Sequence, residues 1–259
     1  MSYLMAEMTS EQIGRMIEDR TVALIPIGAT EQHGRHLPVQ FDYMVVEEVA
    51  KKAAQLASST IPVIVTPTIN FGCSSHHMDF KGTLSLRFNT FIDLIIDIGE
   101  SLIKHDIKRL LFLNGHGGNS APLQIVCRRL KEENDIACAA AANYWSLAAS
   151  AIKELRESGP GGMGHAGEFE TSLGLFLMSD KVRVALLEDR TNPPRIKGDN
   201  LDLLYSGSVF LPWMASDKGI AGVIGNATLG TKNKGKKFFH AIVRETAELI
   251  ENLSSIKYQ

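Results

Sequence analysis

The chain has 259 residues, of which 44% are hydrophobic, and its formal net charge at pH 7 is −2. This length and hydrophobic content suit one domain, residues 1–259, with a large buried core. The nearly balanced charge argues against a nucleic-acid-binding protein, and no apolar run is long enough for a transmembrane helix.

The three cysteines are odd in number and lack the spacing of a metal site, which is typical of proteins in a reducing compartment. Residues 1–7 lack the basic and apolar regions of a signal peptide. We therefore expect a cytoplasmic protein without a nucleic-acid or membrane partner.

Hydrophobic periodicity predicts strands that alternate with helices along the chain. A capping box at Thr9–Gln12 opens the first helix. In chain order, we predict a helix to Asp19, a strand at Val22–Ile27, a helix at Tyr43–Ala57, a strand at Ile61–Thr66, a helix at Thr90–His105, a strand at Arg109–Leu113, a helix from about Ala121 to Glu133, a strand at Ile136–Ala142, and helices at Ala148–Glu157, Phe169–Met178 and Lys236–Leu253. Strands joined through helices imply an α/β fold, with a mostly parallel β-sheet sandwiched between α-helices.

The region Leu186–Thr231 departs from this regular pattern. It holds the groups Asn192-Pro193-Pro194 and Leu211-Pro212 and many glycines, which break helices and strands. A long irregular stretch in a compact domain is usually functional or lies in an interface. It could cover an active site, form an oligomer contact, or do both.

Polar segments follow all four predicted strands. Glu31 and His33 come after the first strand, Ser74–His77 after the second, Asn114–Asn119 after the third and Asn143–Trp145 after the fourth. In open α/β sheets, ligands bind outside the carboxyl ends of the strands. The sequence therefore predicts one functional site at this rim of the sheet.

The segment Glu31-Gln32-His33-Gly34-Arg35-His36, followed by Asp42, indicates metal binding. Histidine combined with carboxylate suits zinc, manganese or ferrous iron. Glu31 and His33 are two residues apart, so they project to the same side of an extended segment. Asp42 could cap the next helix or bridge two metals through its two oxygens. The alternative interpretation is a polar surface loop whose histidines occur by chance.

Two further segments supply candidate residues. His116 lies in Asn114-Gly115-His116-Gly117-Gly118-Asn119, where glycines let the backbone approach a ligand. In the segment from Gly164 to Ser172, a helix that begins near Ala166 would place Glu168 on the face of His165.

The next glutamate, Glu170, would lie roughly 200° around that helix from Glu168, at about 100° per residue. Both carboxylates can hardly reach one metal. We therefore assign Glu168 to the metal and Glu170 to a supporting or helix-entry role, for which simple complementation of the helix dipole is the alternative.

Together these three segments resemble the creatininase (creatinine amidohydrolase) family. Weaker support comes from His77 with Phe80-Lys81-Gly82-Thr83, and from Gly222 with Gly225-Asn226-Ala227-Thr228. The resemblance spans about residues 20–250. It implies an α/β fold with a parallel sheet, a site for two divalent metal ions, hydrolysis of a C–N bond in a small amide, and a homohexamer.

Carried over by position, the resemblance also implies roles for single residues. Metal ligands would be Glu31, His33, Asp42 and His116, with Asp42 as the bridge. His165 would be the catalytic histidine, and Trp145 an aromatic residue near the substrate. Zinc leads as the metal, with manganese or iron as alternatives.

The sequence departs from creatininase at three positions. Creatininase has a glutamate ligand where this chain has Gly118, and an apolar residue where this chain has Glu168. An exchange of ligands, with Glu168 completing the metal shell, is the simplest account. Creatininase also has a tryptophan that covers creatinine where this chain has Gly161, so creatinine is a poor candidate as the substrate.

These observations predict a metal-dependent amidohydrolase that cleaves a cyclic or linear amide with a metal-activated water. His165 would carry the proton to the leaving nitrogen. His77 and Asn114 are further candidates for substrate binding, while His36 and Asn119 would support the ligands; Asn114 and Asn119 could also fix the loop of His116.

Several alternatives stay open. They are hydrolysis of a small ring ketone or lactone at the same metal site, trimming of a peptide, a sensor that binds metal or ligand without catalysis, and thiol chemistry at Cys73.

Overall fold

A sheet of four parallel strands forms the centre of the computed structural model, which describes residues 2–199, 201–205, 207–218 and 221–257. The strands are β1 (Val22–Ile27), β2 (Val63–Val65), β3 (Arg109–Asn114) and β4 (Cys138–Asn143), in the spatial order β2-β1-β3-β4. In register, Val22 pairs with Val63 of β2 and with Arg109 of β3, and Arg109 pairs with Cys138 of β4. This sheet confirms the predicted fold class.

Helices cover both faces of the sheet. They are α1 (Ser10–Met16), α2 (Phe41–Ala57), α3 (Phe88–Lys104), α4 (Ser120–Glu133), α5 (Tyr144–Leu147), α6 (Ala149–Leu155), α7 (Glu168–Leu177) and α8 (Lys232–Ser254). The predicted capping box is present in α1, where the Thr9 hydroxyl accepts from the Gln12 N–H at 3.3 Å and the Gln12 side chain accepts from the Thr9 N–H at 2.8 Å.

The core forms two layers because successive side chains of a strand point to opposite faces. Val22 and Leu24 of β1 pack in the layer with α2, α7 and α8. Ala23, Ile25 and Ile27 pack in the layer with α3 and α4. All six residues of β1 are buried, which is typical of a strand covered on both faces.

The helix predicted to begin near Ala166 begins two residues later. Ala166 has a φ of +54°, in the left-handed region, and Gly167 is the N-cap of α7. Residues 164–167 therefore form a turn, and Glu168 is the first residue of the helix. His165 therefore lies outside the helix that carries both glutamates.

The irregular region predicted at Leu186–Thr231 contains a two-stranded antiparallel sheet, β5 (Asp189–Arg190) with β6 (Gly225–Asn226), and several short turns. Residues 200, 206, 219 and 220 of this region lie outside the described residues. Part of the region packs on the loop before His165, where the Asn192 N–H donates to the Gly161 carbonyl at 3.3 Å. Gly161 has a φ of +83°, and a Cβ there would lie 2.2 Å from the Asn192 carbonyl oxygen. No side chain fits at this position.

Among the helices that the structure describes, none is long and apolar enough to cross a membrane.

Candidate metal centre

Six of the chain's eight histidines gather at the carboxyl ends of the parallel strands. They are His33, His36, His76, His77, His116 and His165. Three buried carboxylates, Glu31, Asp42 and Glu170, lie among them. The sequence prediction of one site at this rim therefore agrees with the positions of these groups.

Asp42 stands at the centre of the cluster, in the first turn of α2. Its Oδ1 lies 2.9 Å from His33 Nε2, and its Oδ2 lies 3.1 Å from His116 Nδ1. The close approach of β1 to α2 holds it there, since a Cβ on Gly28 would lie 2.4 Å from the Tyr43 Cα. A carboxylate that offers one oxygen to each of two histidines has the geometry of a bridging ligand.

Glu31 lies against a set of imidazoles. Its Oε1 is 3.3 Å from His116 Nδ1, 3.4 Å from His77 Nε2 and 3.5 Å from His165 Nδ1. The side chain is fully buried, yet within the described part of the chain neither of its oxygens has a hydrogen-bond partner. The same holds for Asp42 Oδ2 and His33 Nε2. Buried polar atoms without partners are costly, and a metal ion would satisfy them.

Glu170 completes a second group of ligand atoms. Its Oε2 lies 3.9 Å from His33 Nε2 and accepts a hydrogen bond from the Ala166 N–H. Two potential metal-binding groups share Asp42: one adds Glu31 and His116, and the other adds His33 and Glu170. Within each group the ligand atoms lie within 4.8 Å of one another.

The electrostatics of this cluster favour a cation. Burial raises the pKa of Glu170 to about 7, with Asp42 adding to the shift. Burial alone would raise the pKa of Asp42, but the His33 and His116 imidazoles lower it. Burial would likewise lower the pKa of His33, but the Asp42 carboxylate raises it to about 10. Among the described residues, the ion-pair partners of all three carboxylates are histidines, without lysine or arginine.

Two of the histidines are oriented by backbone carbonyls. The Nε2 of His116 donates to the Cys73 carbonyl at 3.1 Å, and the Nδ1 of His33 donates to the Glu31 carbonyl at 3.2 Å. The other ring nitrogen of each therefore faces Asp42, and on losing its proton it could offer a lone pair to a metal ion. Carboxylate oxygens with imidazole nitrogens form a donor set suited to zinc, manganese or iron.

His165 lies beside the cluster with one nitrogen free for proton transfer. Its Nε2 donates to the Gln32 carbonyl at 2.8 Å, which leaves Nδ1 facing Glu31. Burial and the adjacent His33 imidazole lower its pKa well below the ordinary value. A neutral imidazole in this position can accept a proton at pH 7.

Residues 6–250 match the family described as creatininase, creatinine amidohydrolase. The chain belongs to the creatininase family. It is 32% identical over 232 residues to the mycofactocin precursor peptide peptidase of Mycobacterium ulcerans (strain Agy99), which covers 88% of this chain and 83% of the relative. It is 30% identical over 209 residues to the creatinine amidohydrolase of Pseudomonas putida, covering 74% and 78% of the two chains.

Solved creatininase structures show the same fold. A manganese form matches with a TM-score of 0.79 at 26% identity, covering 97% of this chain and 98% of that one. A glutamate-to-glutamine mutant of zinc–zinc type matches with a TM-score of 0.80 at 25% identity, with the same coverage. The protein is thus a hydrolase of the creatininase family, whose named relatives cleave carbon–nitrogen bonds.

The metal-ligand role predicted for Glu168 does not fit the structure. Its carboxylate accepts hydrogen bonds from the backbone N–H groups of Glu157 at 3.0 Å and Ser158 at 2.7 Å, and it pairs with Lys234 Nζ at 2.7 Å. Because His165 lies outside α7, the helical spacing that placed Glu168 on its face does not apply. The Glu168 carboxylate faces Lys234, and the Glu170 carboxylate faces His33.

The structure also explains why the ligand expected at Gly118 in a creatininase is absent. A Cβ on Gly118 would lie 2.1 Å from the Cys73 carbonyl oxygen and 2.5 Å from His116 Nε2. A glutamate therefore cannot occupy this position without displacing the Cys73 loop. The idea of a ligand exchange stays a prediction, with Glu170 in the place first given to Glu168.

The two asparagines predicted near the site hold its loops. Asn114 is fully buried; its amide donates to the His116 carbonyl at 2.7 Å and its oxygen accepts from the His116 N–H at 3.1 Å. The predicted loop-fixing role fits these contacts, and the predicted substrate contact does not. Asn119 accepts from the Cys73 N–H at 2.9 Å and donates to the Gly28 carbonyl at 3.0 Å, so it joins the loops that follow β1 and β2.

His36, predicted to support the ligands, and His77, predicted to bind substrate, lie on different sides of the cluster. His36 Nε2 donates to the Thr171 hydroxyl at 2.9 Å, which ties the loop after β1 to α7. His77 contacts Glu31 through Nε2, and its Nδ1 accepts from the Gln32 amide at 2.8 Å. Sequence reasoning did not single out Gln32, although its place between Glu31 and His33 was a signal.

Trp145, the aromatic residue predicted near the substrate, lies in the core and not at the surface of the cluster. Trp145 is only 5% exposed and packs in the core, with its ring 5.3 Å from that of Tyr144. By contrast, Trp213 of the irregular region contacts His76 and His77. Trp213 lies in a region without hydrophobic periodicity, and His76 is one member of the polar segment Ser74–His77, so no sequence pattern marks either residue by itself.

Proposed function

We propose that this protein is a metal-dependent amidohydrolase that cleaves a carbon–nitrogen amide bond in a small molecule, with two divalent metal ions held around Asp42. The observation that carries the proposal is the position of the Asp42 carboxylate, which faces His33 with one oxygen and His116 with the other. The unpartnered oxygens of Glu31 support it, because the buried site has ligand capacity that the described protein groups leave unused.

Five residues would hold the ions: Glu31, Asp42 and His116 on one side, and His33 and Glu170, sharing Asp42, on the other. Divalent ions in such a site activate water and polarise the scissile carbonyl. Zinc or manganese is favoured by the named forms of the creatininase structures.

His165 would move the proton. Its neutral Nδ1 accepts the proton released by the attacking water, and the same nitrogen returns it to the departing nitrogen. The Gln32 carbonyl keeps this tautomer in place by accepting from Nε2. A binding module without turnover would need no such residue, so the position of His165 favours an enzyme over a sensor.

Peptide trimming is a second candidate. The chain is about as similar to a peptide peptidase, at 32% identity, as it is to a creatinine amidohydrolase, at 30% identity. Sequence identity therefore does not favour one of these substrates over the other. Gly161 also leaves the loop before His165 without a side chain that could cover a small ring. The hexameric assembly and the cytoplasmic location stay predictions.

Metal analysis of protein purified without chelator tests the proposal first. We expect about two equivalents of zinc, manganese or iron, and turnover of a compound in a panel of lactams, linear amides and short peptides that chelation abolishes and metal restores. A His165→Ala variant should keep its metal and lose turnover, while His240→Ala, an exposed histidine of α8, should keep both. Absence of metal even after reconstitution would contradict the proposal.

A further inference from the structure

Trp213 stands over the outer edge of the histidine cluster. Its ring centroid lies 4.9 Å from that of His76 and 5.5 Å from that of His77. His77 in turn lies 3.4 Å from Glu31 Oε1, and its ring centroid is 4.3 Å from that of His165. His77 therefore separates the indole of Trp213 from Glu31 and His165.

The backbone around Trp213 is anchored on both sides. The Arg195 guanidinium donates to the Leu211 carbonyl at 2.6 Å and to the Pro212 carbonyl at 3.3 Å, and it pairs with Asp199 at 2.8 Å. After the tryptophan, the Ser216 hydroxyl donates to the carboxylate of Asp79, two residues beyond His77. These contacts fix the indole against the loop that follows β2.

The rings of Trp213 and His76 form a nearly right-angled corner, which we call the slot. The indole plane makes angles of 80° with His76 and 83° with His77, so it stands nearly upright on both imidazoles. His76 is itself stacked at 14° on His116, with 5.7 Å between centroids. Both Trp213 and His76 are half-buried, so part of each ring remains accessible.

We propose that Trp213 determines specificity by packing against a flat, apolar group adjacent to the scissile amide bond, with His76 as the floor of the slot. This inference rests on the proposed function, since it places the amide carbonyl at the Asp42 cluster. Aromatic faces prefer flat partners in stacked or edge-to-face contact. Met214, which follows Trp213, and Met78, two residues after His76, are exposed apolar side chains in the same two segments.

Two hydroxamates of different size separate this inference from the proposed function. Both carry the same metal-binding group, but acetohydroxamate ends in a methyl group and benzohydroxamate in a flat ring. Inhibition or calorimetry on zinc-loaded protein gives the ratio of their dissociation constants. We expect Trp213→Ala to reduce the preference for benzohydroxamate about 3- to 10-fold and to leave acetohydroxamate binding unchanged.

Matched variants identify the cause. Trp213→Phe should retain most of the preference, because a flat ring remains. Phe210→Ala, in the same segment and 88% exposed, should leave both dissociation constants as in the wild type. An unchanged preference in Trp213→Ala, with acetohydroxamate still bound, would overturn the inference alone. Failure of both hydroxamates to bind the zinc-loaded wild type would overturn the proposed function and the inference with it.

Fluorescence provides a second readout that needs no turnover. The chain has two tryptophans, so Trp145→Phe leaves Trp213 as the reporter. Benzohydroxamate should change the emission of this variant in a saturable way. Trp213→Phe, which retains the core Trp145, should show no such change; an equal change in both variants would count against contact with Trp213.

Discussion

The two glutamates in the first turn of α7 occupy opposite environments although they are two residues apart. Glu168 points toward Lys234 of α8, and its carboxylate also accepts hydrogen bonds from two backbone N–H groups of the loop after α6. Glu170 points toward the sheet, where its neighbours include His33 and a second carboxylate, Asp42. Both side chains are buried, so exposure to water does not account for the difference.

Their pKa values follow these surroundings. Burial alone would raise the pKa of Glu168, but Lys234 and its hydrogen-bond donors lower it. Burial raises the pKa of Glu170 to about 7, and Asp42 contributes to this. The Glu168 carboxylate already has a cationic partner in Lys234, whereas among the described residues Glu170 has neither lysine nor arginine beside it and is available to a cation from outside.

Asp42→Asn should have the largest effect, because it removes the ligand that both groups share. We expect metal content to fall from about two equivalents to less than one, and turnover to fall on the order of a thousandfold or more. Plasma mass spectrometry and steady-state kinetics measure the two. Asp97→Asn on the exposed face of α3 is the control. Retention of two equivalents in Asp42→Asn would refute the bridging role.

Glu170→Gln should remove about one of two metal equivalents, since it belongs to the group with His33 but not to the group with His116. Turnover should fall by at least roughly 10-fold. A high metal concentration should restore part of it. Glu168→Gln is the matched control and should keep both equivalents. The reverse pattern would restore the assignment of Glu168 as the ligand.

Glu168→Gln should instead weaken the fold. The buried Lys234 ammonium would lose its partner at 2.7 Å but keep Glu157 at 2.9 Å, so we expect a loss of about 2 kcal/mol in the free energy of unfolding. Urea unfolding of metal-free protein measures it. A loss of less than about 0.5 kcal/mol in the free energy of unfolding is usual for surface substitutions. Such a small loss would show that the Glu168–Lys234 pair contributes little to stability.

The pH dependence of that loss has a definite sign. Because the folded pKa of Glu168 is lowered, its contribution is present above the unfolded value of about 4.3 and disappears as pH falls through the lower folded value. The difference in unfolding free energy between wild type and Glu168→Gln should therefore be constant from about pH 7 to 5. It should shrink below about pH 4, and a difference that grows there would contradict the assignment.

Cys73→Ala should have the smallest effect on turnover, within about twofold. Burial raises the pKa of the Cys73 thiol to about 12, so the thiolate needed for nucleophilic attack is scarce at neutral pH. Iodoacetamide at pH 8 should accordingly label this residue far more slowly than free cysteine. Loss of turnover in Cys73→Ala with metal retained would revive the thiol mechanism.

Most of the fold could be predicted from periodicity. The strand at Val22–Ile27 has the predicted bounds, because a continuous apolar run buried on both faces is unambiguous between Arg20 and the glycine at position 28. The helix predicted at Tyr43–Ala57 begins two residues earlier, at Phe41. Its first turn therefore includes Asp42. The meeting of the polar segments at the carboxyl ends of the strands could be predicted from the order of strands and helices alone.

The site could be predicted only up to the choice between two glutamates. The angular argument that Glu168 and Glu170 cannot face one atom agrees with the structure, but the sequence could not reveal the left-handed turn at Ala166. Alanine rarely adopts that conformation, so no residue type signals it. Trp213 was missed for a related reason, because its position depends on contacts of Arg195 and Ser216 in a region without periodicity.

The position of Glu170 also bears on how the protein folds. Asp42 and Glu170 are separated by about half the chain length, yet they belong to one potential metal-binding group. Contacts between such distant segments form late, because the intervening chain must first lose its conformational freedom. During synthesis the first half of the chain can assemble β1, α2 and β3 with Glu31, Asp42 and His116, but the second group is complete only after α7 has docked. A metal ion bound there would link α2, from the first half of the chain, to α7, from the second half.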